Sequence, residues 1–304
     1  MSTAYGNFFD FCRDTGSLHA TLPVCNLFAS SPSRGGSGFG NGCDLLGISL
    51  GGDRYLANLG SILCAGLAIL ISAFLLLRSN MKRAAVGRRE MQLFLLGYML
   101  ISLCEIFTIG WFPLDGEVRR AFTAIHIAAI VATLWILLMN AVVGYQIIDD
   151  GTIASIGLIF GSAAALFVGT GYIALDTGFA FTDYWQDTVN DPNNRAYALY
   201  TLYQLVPLVF LVAFFVLEAI LVLRVLGEVR PMLYLCAAAL LFIISQIFQY
   251  VISVHICNGS NGAINGGFFS TLFTLLAVIM IWVFWSSITE DDWPMPASTG
   301  STYT

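Results

Sequence analysis

Seven long apolar stretches, separated by short polar segments, dominate the chain after residue 55. Each is close to the roughly 20 residues that a helix needs to cross the hydrocarbon core of a bilayer. A spanning segment must satisfy its backbone hydrogen bonds internally, so the stretches predict α-helices. The pattern therefore predicts an all-α polytopic membrane protein with seven transmembrane helices, at residues 56–77, 91–112, 121–143, 153–175, 197–223, 232–255 and 268–288.

The remaining residues form two polar ends. Residues 1–55 are polar to mixed and contain a Gly-rich run at 31–52, which is typical of a flexible connector. Residues 289–304 form a short acidic tail. We therefore expect three parts: a cysteine-bearing N-terminal segment at 1–55, a seven-helix bundle at 56–288 and a cytosolic tail at 289–304.

Composition narrows the possible functions. Hydrophobic residues make up 58% of the chain and charged residues 11%, and the mean hydropathy is +0.80. Lys82 is the single lysine, so the net charge of −6 reflects a shortage of basic residues. This balance argues against a nucleic-acid partner. The apolar stretches also leave no room for a large soluble catalytic domain.

The orientation in the membrane follows from basic residues in the short loops. The side of the first loop carries seven of them and the other side six, so the prediction depends on the dense cluster at residues 78–89. It places the N-terminus in the lumen or outside and the C-terminus in the cytosol. Residues 1–11 have neither the basic nor the apolar part of a signal peptide, so we expect the first helix to translocate the N-terminus.

In this orientation four cysteines, Cys12, Cys25, Cys43 and Cys257, face an oxidising lumen, where disulfides form. Pairing Cys12 with Cys25 would close a short loop, and pairing Cys43 with Cys257 would tie the N-terminal arm to the sixth loop. The other pairings, and free thiols in a disordered arm, remain open. The sequon that begins at Asn258 is a candidate glycosylation site on the same side.

Ionisable side chains within apolar helices cost about 3 kcal/mol or more and need a reason. Glu105 and His126 both lie near lumenal helix ends, and we interpret them as a polar clamp between adjacent helices. The alternative is a proton relay or metal site. No histidine has the spacing of a zinc motif, so we expect neither a metal nor another cofactor. Glu218 is expected to snorkel to the cytosolic interface.

Small residues recur at four-residue spacing on two predicted helices, which lets helix backbones approach closely. We interpret both stripes as internal packing, with docking of a partner's transmembrane helix as the alternative. The sixth helix has a polar edge, expected to face other helices or a cavity, and Pro207 is predicted to kink the fifth helix. The stripes are Gly60, Cys64, Ala68 and Ser72, and Gly157, Gly161, Ala165 and Gly169; the polar edge is Ser245, Gln246, Gln249 and Ser253.

Several activities lack their motifs in this sequence. A retinal protein needs a lysine in its last helix, and a processive glycosyltransferase needs DxD-type and QxxRW-type motifs; neither is present. A P-loop motif is also missing. Two alternatives stay open: a seven-helix receptor or sensor, and a metal-dependent intramembrane hydrolase. The receptor would bind a ligand at Tyr203, Gln204, Gln246 and Gln249, and the hydrolase would use Glu105, His126 and His255.

Several distinctive motifs occur in order along the whole chain. The N-terminal segment contains FxxFC at residues 8–12 and LPVCNLF at 22–28. The first loop leads into GRREMQLFLLGY at 87–98, followed by EIFTIGWFP at 105–113. A W-x-L-L-M-N-A-x-V-G-Y-Q run lies at 135–146 and TEDDWP at 289–294. With these motifs in this order, the chain resembles the fungal chitin synthase export chaperones.

The resemblance implies a chaperone and not an enzyme. Such a protein resides in the endoplasmic reticulum membrane, binds a polytopic chitin synthase, prevents its aggregation and promotes its export, so supporting cell-wall chitin synthesis. Its partners would be the synthase and the lipid bilayer, and it would stay in the reticulum or travel with its client to the cell surface. Glu290, Asp291 and Asp292 are a candidate exit signal for cytosolic coat machinery, with a solvated terminus as the alternative.

Overall fold

Seven long apolar helices, as predicted, make up most of the structure. The computed structural model describes residues 5–8, 12, 22–28, 45–51, 54–82, 85–110, 112, 115–146, 151–182, 184–185 and 195–289. Within these residues, the helices long and apolar enough to span a membrane are α1 Leu59–Met81, α2 Arg88–Thr108, α3 Gly116–Gly144, α4 Ile153–Phe179, α5 Tyr197–Leu226, α6 Arg230–Ile252 and α7 Gly266–Ser287.

The predicted helices agree with the observed ones to within a few residues at most ends. The largest difference is at the start of α3, which begins at Gly116 and not at residue 121. Hydropathy detects only the apolar part of a helix, whereas backbone hydrogen bonding continues into the polar first turn. The sequence therefore finds the spans and underestimates the length of α3.

The helix α3 lies at the centre of the bundle. Within its most apolar stretch 67% is buried, against 17% in α6. α3 packs against α2, α4 and α5, and α7 packs against both α1 and α6. α5 and α6 follow each other in the chain but have few contacts with each other. The contacts therefore leave a gap in the bundle between α5 and α6.

The described part of the N-terminal segment packs on one end of the bundle, which we call the arm end; the opposite end is the tail end. A 3₁₀ helix at Pro23–Phe28 is buried along its whole length against α3 and α4. Its side chains form a cluster with Phe8, Ala124 of α3 and Ala174 of α4. A disulfide between Cys12 and Cys25 lies in this cluster. Disulfide bonding was expected from the cysteines, and this disulfide joins two positions within the arm.

The first and last helices begin at paired asparagines at the arm end. Asn58 accepts a hydrogen bond from the backbone N–H of Ser61 at 3.2 Å, and Asn265 accepts one from Gly267 at 3.0 Å. These are N-caps, which satisfy otherwise unpaired amide groups of the first turn. Asn58 Nδ2 also donates to Asn265 Oδ1 at 2.9 Å. The two caps therefore join α1 to α7. A hairpin of β1 Ile48–Gly51 and β2 Arg54–Leu56 precedes α1.

Candidate functional site

A cavity of about 840 Å³ lies inside the bundle, between α2, α3, α5, α6 and α7. Its lining is mainly aliphatic and aromatic, with polar groups from each of these helices. Pro23 of the arm also contacts it. The cavity reaches the outer surface at the gap between α5 and α6, where Leu208 and Ile243 are both lining residues and more than half exposed. This is the principal candidate site of the molecule.

Glu105 and His126 both line this cavity, but their hydrogen bonds go to other residues. Thr271 of α7 donates to the Glu105 carboxyl group. His126 Nδ1 lies 3.1 Å from Thr108 Oγ1 of α2. Among the hydrogen bonds of the described residues, none joins Glu105 to His126. Each side chain thus links two helices, as a clamp should, but the direct pairing predicted from the sequence is absent in this part of the chain.

The polar edge of α6 is divided between helix packing and the cavity. Ser245 Oγ donates to the carbonyl of Ser270 at 3.0 Å, and the N–H of Gly266 donates to Ser253 Oγ at 3.1 Å. Gln249 and Gln246 line the cavity, and Gln249 Oε1 accepts from Ser270 Oγ at 3.1 Å. The two serines therefore hold α6 against α7, while the two amides face the interior space.

Two π-helical turns flank the cavity at the arm end. One, at Thr201–Leu205, comes directly before Pro207 in α5; the other is Phe248–Ile252 in α6. Widened turns of this kind are frequent at functional sites. Across the gap, Tyr250 donates its hydroxyl hydrogen to Gln204 Oε1 at 3.0 Å. Pro207 predicts a local irregularity of the helix in α5, but no residue of the sequence predicts the π-helical turn in α6.

The two small-residue stripes lie in opposite environments. In α1, Cys64, Ala68 and Ser72 are buried, and a Cβ at Gly60 would lie 3.0 Å from the Phe268 ring. That stripe faces the bundle. In α4 all four stripe residues are exposed, and a Cβ at any of the three glycines would meet no atom of the described residues within 4 Å. Internal packing is therefore the wrong interpretation for the α4 stripe, which comprises Gly157, Gly161, Ala165 and Gly169.

Acidic groups near the tail end are more buried than the sequence suggests. Glu218 is 4% exposed and does not snorkel as predicted, because its face of α5 turns toward the bundle. Glu90 is fully buried and accepts a hydrogen bond from Ser155 Oγ at 3.1 Å, joining α2 to α4. Its place in the basic first loop gives no indication of burial, so sequence reasoning missed it.

The structure brings together no metal-binding cluster among the residues it describes. His255 is exposed, whereas His126 and Glu105 are buried. The three residues of the hydrolase alternative are therefore in different environments. Cys64, Cys104 and Cys236 are free thiols.

The remaining predicted sites lie in the sixth loop or outside the described residues. Cys257 is disulfide-bonded, and Cys43, its predicted partner, lies outside the described residues. Asn258 follows it with an exposed side chain at the end of the short helix Ser253–Gly259. The candidate exit signal at Glu290, Asp291 and Asp292 also lies outside the described residues.

These features define a polytopic membrane protein of seven helices with a disulfide-bonded arm over one end and a cavity in its interior. The sequence profile of the chitin synthase export chaperone family matches residues 4–299. The chain belongs to this family, which confirms the resemblance seen in its motifs.

Individual relatives support the same assignment. A chitin synthase export chaperone of Coccidioides immitis is 28% identical over 290 residues, covering 95% of this chain and 84% of the relative. The protein of that name from Aspergillus fumigatus is 29% identical with the same coverage. One from Cryptococcus neoformans is 29% identical over 289 residues and 75% of its length. No solved structure matches the chain.

Proposed function

We propose that this protein is a client-specific chaperone that binds a polytopic chitin synthase in the endoplasmic reticulum membrane. It prevents aggregation of the synthase and promotes its export to the cell surface, where the enzyme makes cell-wall chitin. The observation that carries the proposal is the match to the chitin synthase export chaperone family along residues 4–299. The seven apolar helices support a role inside a membrane.

The role is one of binding and not of catalysis. The family name describes a chaperone. The two residues of the predicted clamp also have structural partners: Thr271 for Glu105, and Thr108 for His126. Such side chains hold helices together in lipid, where apolar surfaces give little drive for helix association.

The arm end faces the lumen in this proposal. The disulfide between Cys12 and Cys25 lies there, and so does the disulfide-bonded Cys257. Disulfides persist in the oxidising lumen and are rare in the cytosol. The same orientation makes Asn258 available for glycosylation and puts the acidic tail in the cytosol, within reach of coat machinery.

The α4 stripe is the surface we assign to the client. Its four residues are exposed, and no atom of the described residues lies within 4 Å of a Cβ placed on its glycines. A transmembrane helix of the synthase would approach such a stripe closely and gain van der Waals contacts. Shielding of this kind would keep unassembled client helices from associating with one another.

The test is to delete the gene for this protein and image a tagged chitin synthase, with cell-wall chitin stained in parallel. We expect the synthase to remain in the endoplasmic reticulum and chitin to fall, while an unrelated polytopic surface protein travels normally. Re-expression of the intact chain should restore both. Normal arrival of the synthase at the surface would contradict the proposal, and retention of both reporters would indicate a general defect in export.

A seven-helix sensor is the second candidate, because the cavity gives it a ligand site. Tyr203, Gln246 and Gln249 line that cavity, whereas Gln204, the fourth residue of the receptor alternative, does not and instead accepts a hydrogen bond from Tyr250. The same deletion strain separates the two candidates. A sensor predicts a lost response to a ligand with normal export of the synthase, and a chaperone predicts the reverse.

A further inference from the structure

We propose that the central cavity binds a membrane lipid that has a neutral hydroxyl head group and one compact hydrocarbon body. The head group would lie at the arm end and the hydrocarbon at the tail end. This proposal goes beyond the chaperone role and does not depend on it.

Access from the bilayer is the first step of the argument. The gap between α5 and α6 is bordered by Leu208 and Val212 on α5 and by Ile243 and Ile247 on α6, which line the cavity and are 42% to 56% exposed. Apolar residues at such a position face lipid in a spanning bundle. A ligand would therefore enter sideways from the hydrocarbon and not from water.

Polarity along the cavity gives the ligand a direction. The hydrogen-bonding groups at the arm end include Glu105, His126 and Gln249, whereas Phe94 and Ile281 at the tail end are apolar. Between Phe94 and Glu105, the helix rise gives a length of about 16 Å. One leaflet of a hydrocarbon core about 30 Å thick has nearly this depth. The cavity therefore matches a single amphipathic molecule within one leaflet.

The polar groups at the arm end suit a hydroxyl, which both donates and accepts. Thr108 Oγ1 donates to the carbonyl of Cys104 at 3.0 Å, so it accepts from His126 Nδ1, and the other ring nitrogen, Nε2, is left as an acceptor. The Gln246 amide has no hydrogen-bond partner among the described residues and can donate as well as accept.

The same lining disfavours a phosphate head group. Among the described residues, none that lines the cavity is a lysine or arginine, and Glu105 supplies a carboxyl group. A buried phosphate needs cationic or several N–H partners. A neutral head group needs neither of these, so the chemistry favours a hydroxyl-headed lipid.

The dimensions of the site exclude a whole transmembrane helix as the occupant. The cavity of about 840 Å³ lies within the size range of small-molecule pockets. The hydrogen bond from Tyr250 to Gln204 crosses the gap at the arm end. A three-residue connection, 227–229, closes it at the tail end. A helix about 10 Å wide could enter the gap only if the hydrogen bond between Tyr250 and Gln204 were broken.

The experiment uses the purified full chain in nanodiscs and a photoreactive cholesterol that carries a diazirine and an alkyne. We expect saturable labelling that maps to peptides of α2, α5, α6 and α7. Unlabelled cholesterol should compete, and its 3-methyl ether should compete about 2- to 10-fold less well because it cannot donate a hydrogen bond. Replacing Gln246 by Leu (Gln246→Leu) should remove most of that difference.

A matched pair of variants tests the location. Ala239 lines the cavity and Ala237 does not, and both are half-buried on α6. Ala239→Trp should lower labelling about 10-fold by filling the space, whereas Ala237→Trp should leave it unchanged. The apparent Tm of each variant shows whether it is folded, and Gln246→Leu provides the test if Ala239→Trp is not.

Three results would overturn the proposal. The first is labelling spread over the outer faces of the helices without competition. The second is equal competition by cholesterol and its methyl ether. The third is an oxidant-induced disulfide in cells between a cysteine placed at Ala239 and a cysteine in a transmembrane helix of the synthase. The first two results are obtained without any client, so they leave the chaperone role untouched.

Discussion

The stripes in α1 and α4 share one spacing and differ in almost everything else. Ala68 in α1 is fully buried, whereas Ala165 at the third position of the α4 stripe is exposed. The α1 stripe faces α2 and α7. The side of α4 that packs against α3 carries other small residues, among them Ala163 and Ala174.

This contrast shows that small-residue spacing identifies a surface suited to close helix contact without saying which helix makes the contact. In α1 the partner belongs to the same chain. In α4 that position is vacant among the described residues, and the proposed function assigns it to the client. Substitutions in the arm and in the two stripes distinguish a packed stripe from an open one, because they change the free energy of unfolding by different amounts.

The described part of the arm packs on α4 around Ile173, Ala174 and Leu175, beyond Gly169 at the end of the open stripe. Replacing both Cys12 and Cys25 by Ser should cost about 3 kcal/mol, since the disulfide closes a loop with a sequence separation of 13. The measurement is the apparent Tm in detergent. Cys236→Ser, which removes a free thiol, is the control and should change it little. An equal Tm for both proteins would mean that the disulfide does not stabilise the arm.

Ala68→Leu should destabilise the protein by about 1–3 kcal/mol, because the added atoms have no space in the α1 interface. Ala165→Leu is the same change on α4 and should stay within about 0.5 kcal/mol, as expected at an exposed site. Unfolding of the two variants in parallel measures the difference. Equal destabilisation would show that the α4 stripe is packed in the membrane.

The α1 stripe also contains a defect that a substitution can repair. The Ser72 hydroxyl is buried and has no hydrogen-bond partner among the described residues, so Ser72→Ala should stabilise the protein by about 1 kcal/mol. Ser79, about two turns after Ser72 on α1, is the control, because its hydroxyl accepts a hydrogen bond from Trp282 Nε1 at 2.7 Å. Ser79→Ala should therefore lose about 1 kcal/mol. If both changes lower the Tm alike, the Ser72 hydroxyl has a partner in the membrane.

Gly161→Leu should have the smallest effect on stability and a large one on the client. No atom lies within 4 Å of a Cβ at this position, so the fold should tolerate the change. A leucine there would hold a docked helix away from the stripe. We expect less chitin synthase to copurify, at an unchanged Tm. Leu158→Phe, on the neighbouring exposed face, is the control. Undiminished copurification would remove the α4 stripe from the client interface.

The sequence predicted the seven helices because hydropathy alone identifies a spanning segment. It did not predict which way each helix is rotated, because in lipid the outward residues are as apolar as the inward ones. That explains the error for the α4 stripe. It also explains Glu105 and His126: both were predicted at the same end of the bundle and lie there, but the sequence gives no helix rotations, so it could not favour Thr271 and Thr108 as partners over a direct pairing.

The gap between α5 and α6 was beyond sequence reasoning for another reason. Consecutive helices are usually adjacent and packed, so a short loop such as 227–229 predicts contact. Here α6 packs on α7, where Ser245 and Ser253 supply the hydrogen bonds. The polar edge did predict that α6 needs partners in the membrane, and two of its four residues line the cavity.

The paired caps of α1 and α7 have a consequence for biosynthesis. Asn58 and Asn265 are 207 residues apart, and Thr271 is 166 residues after Glu105. Asn58 and Glu105 are synthesised long before α7, which carries or begins at their partners. Their polar groups lack these partners for all of that interval. These hydrogen bonds therefore form only when the chain is complete. A truncated product that lacks α7 keeps the polar groups without these partners, which quality control can recognise.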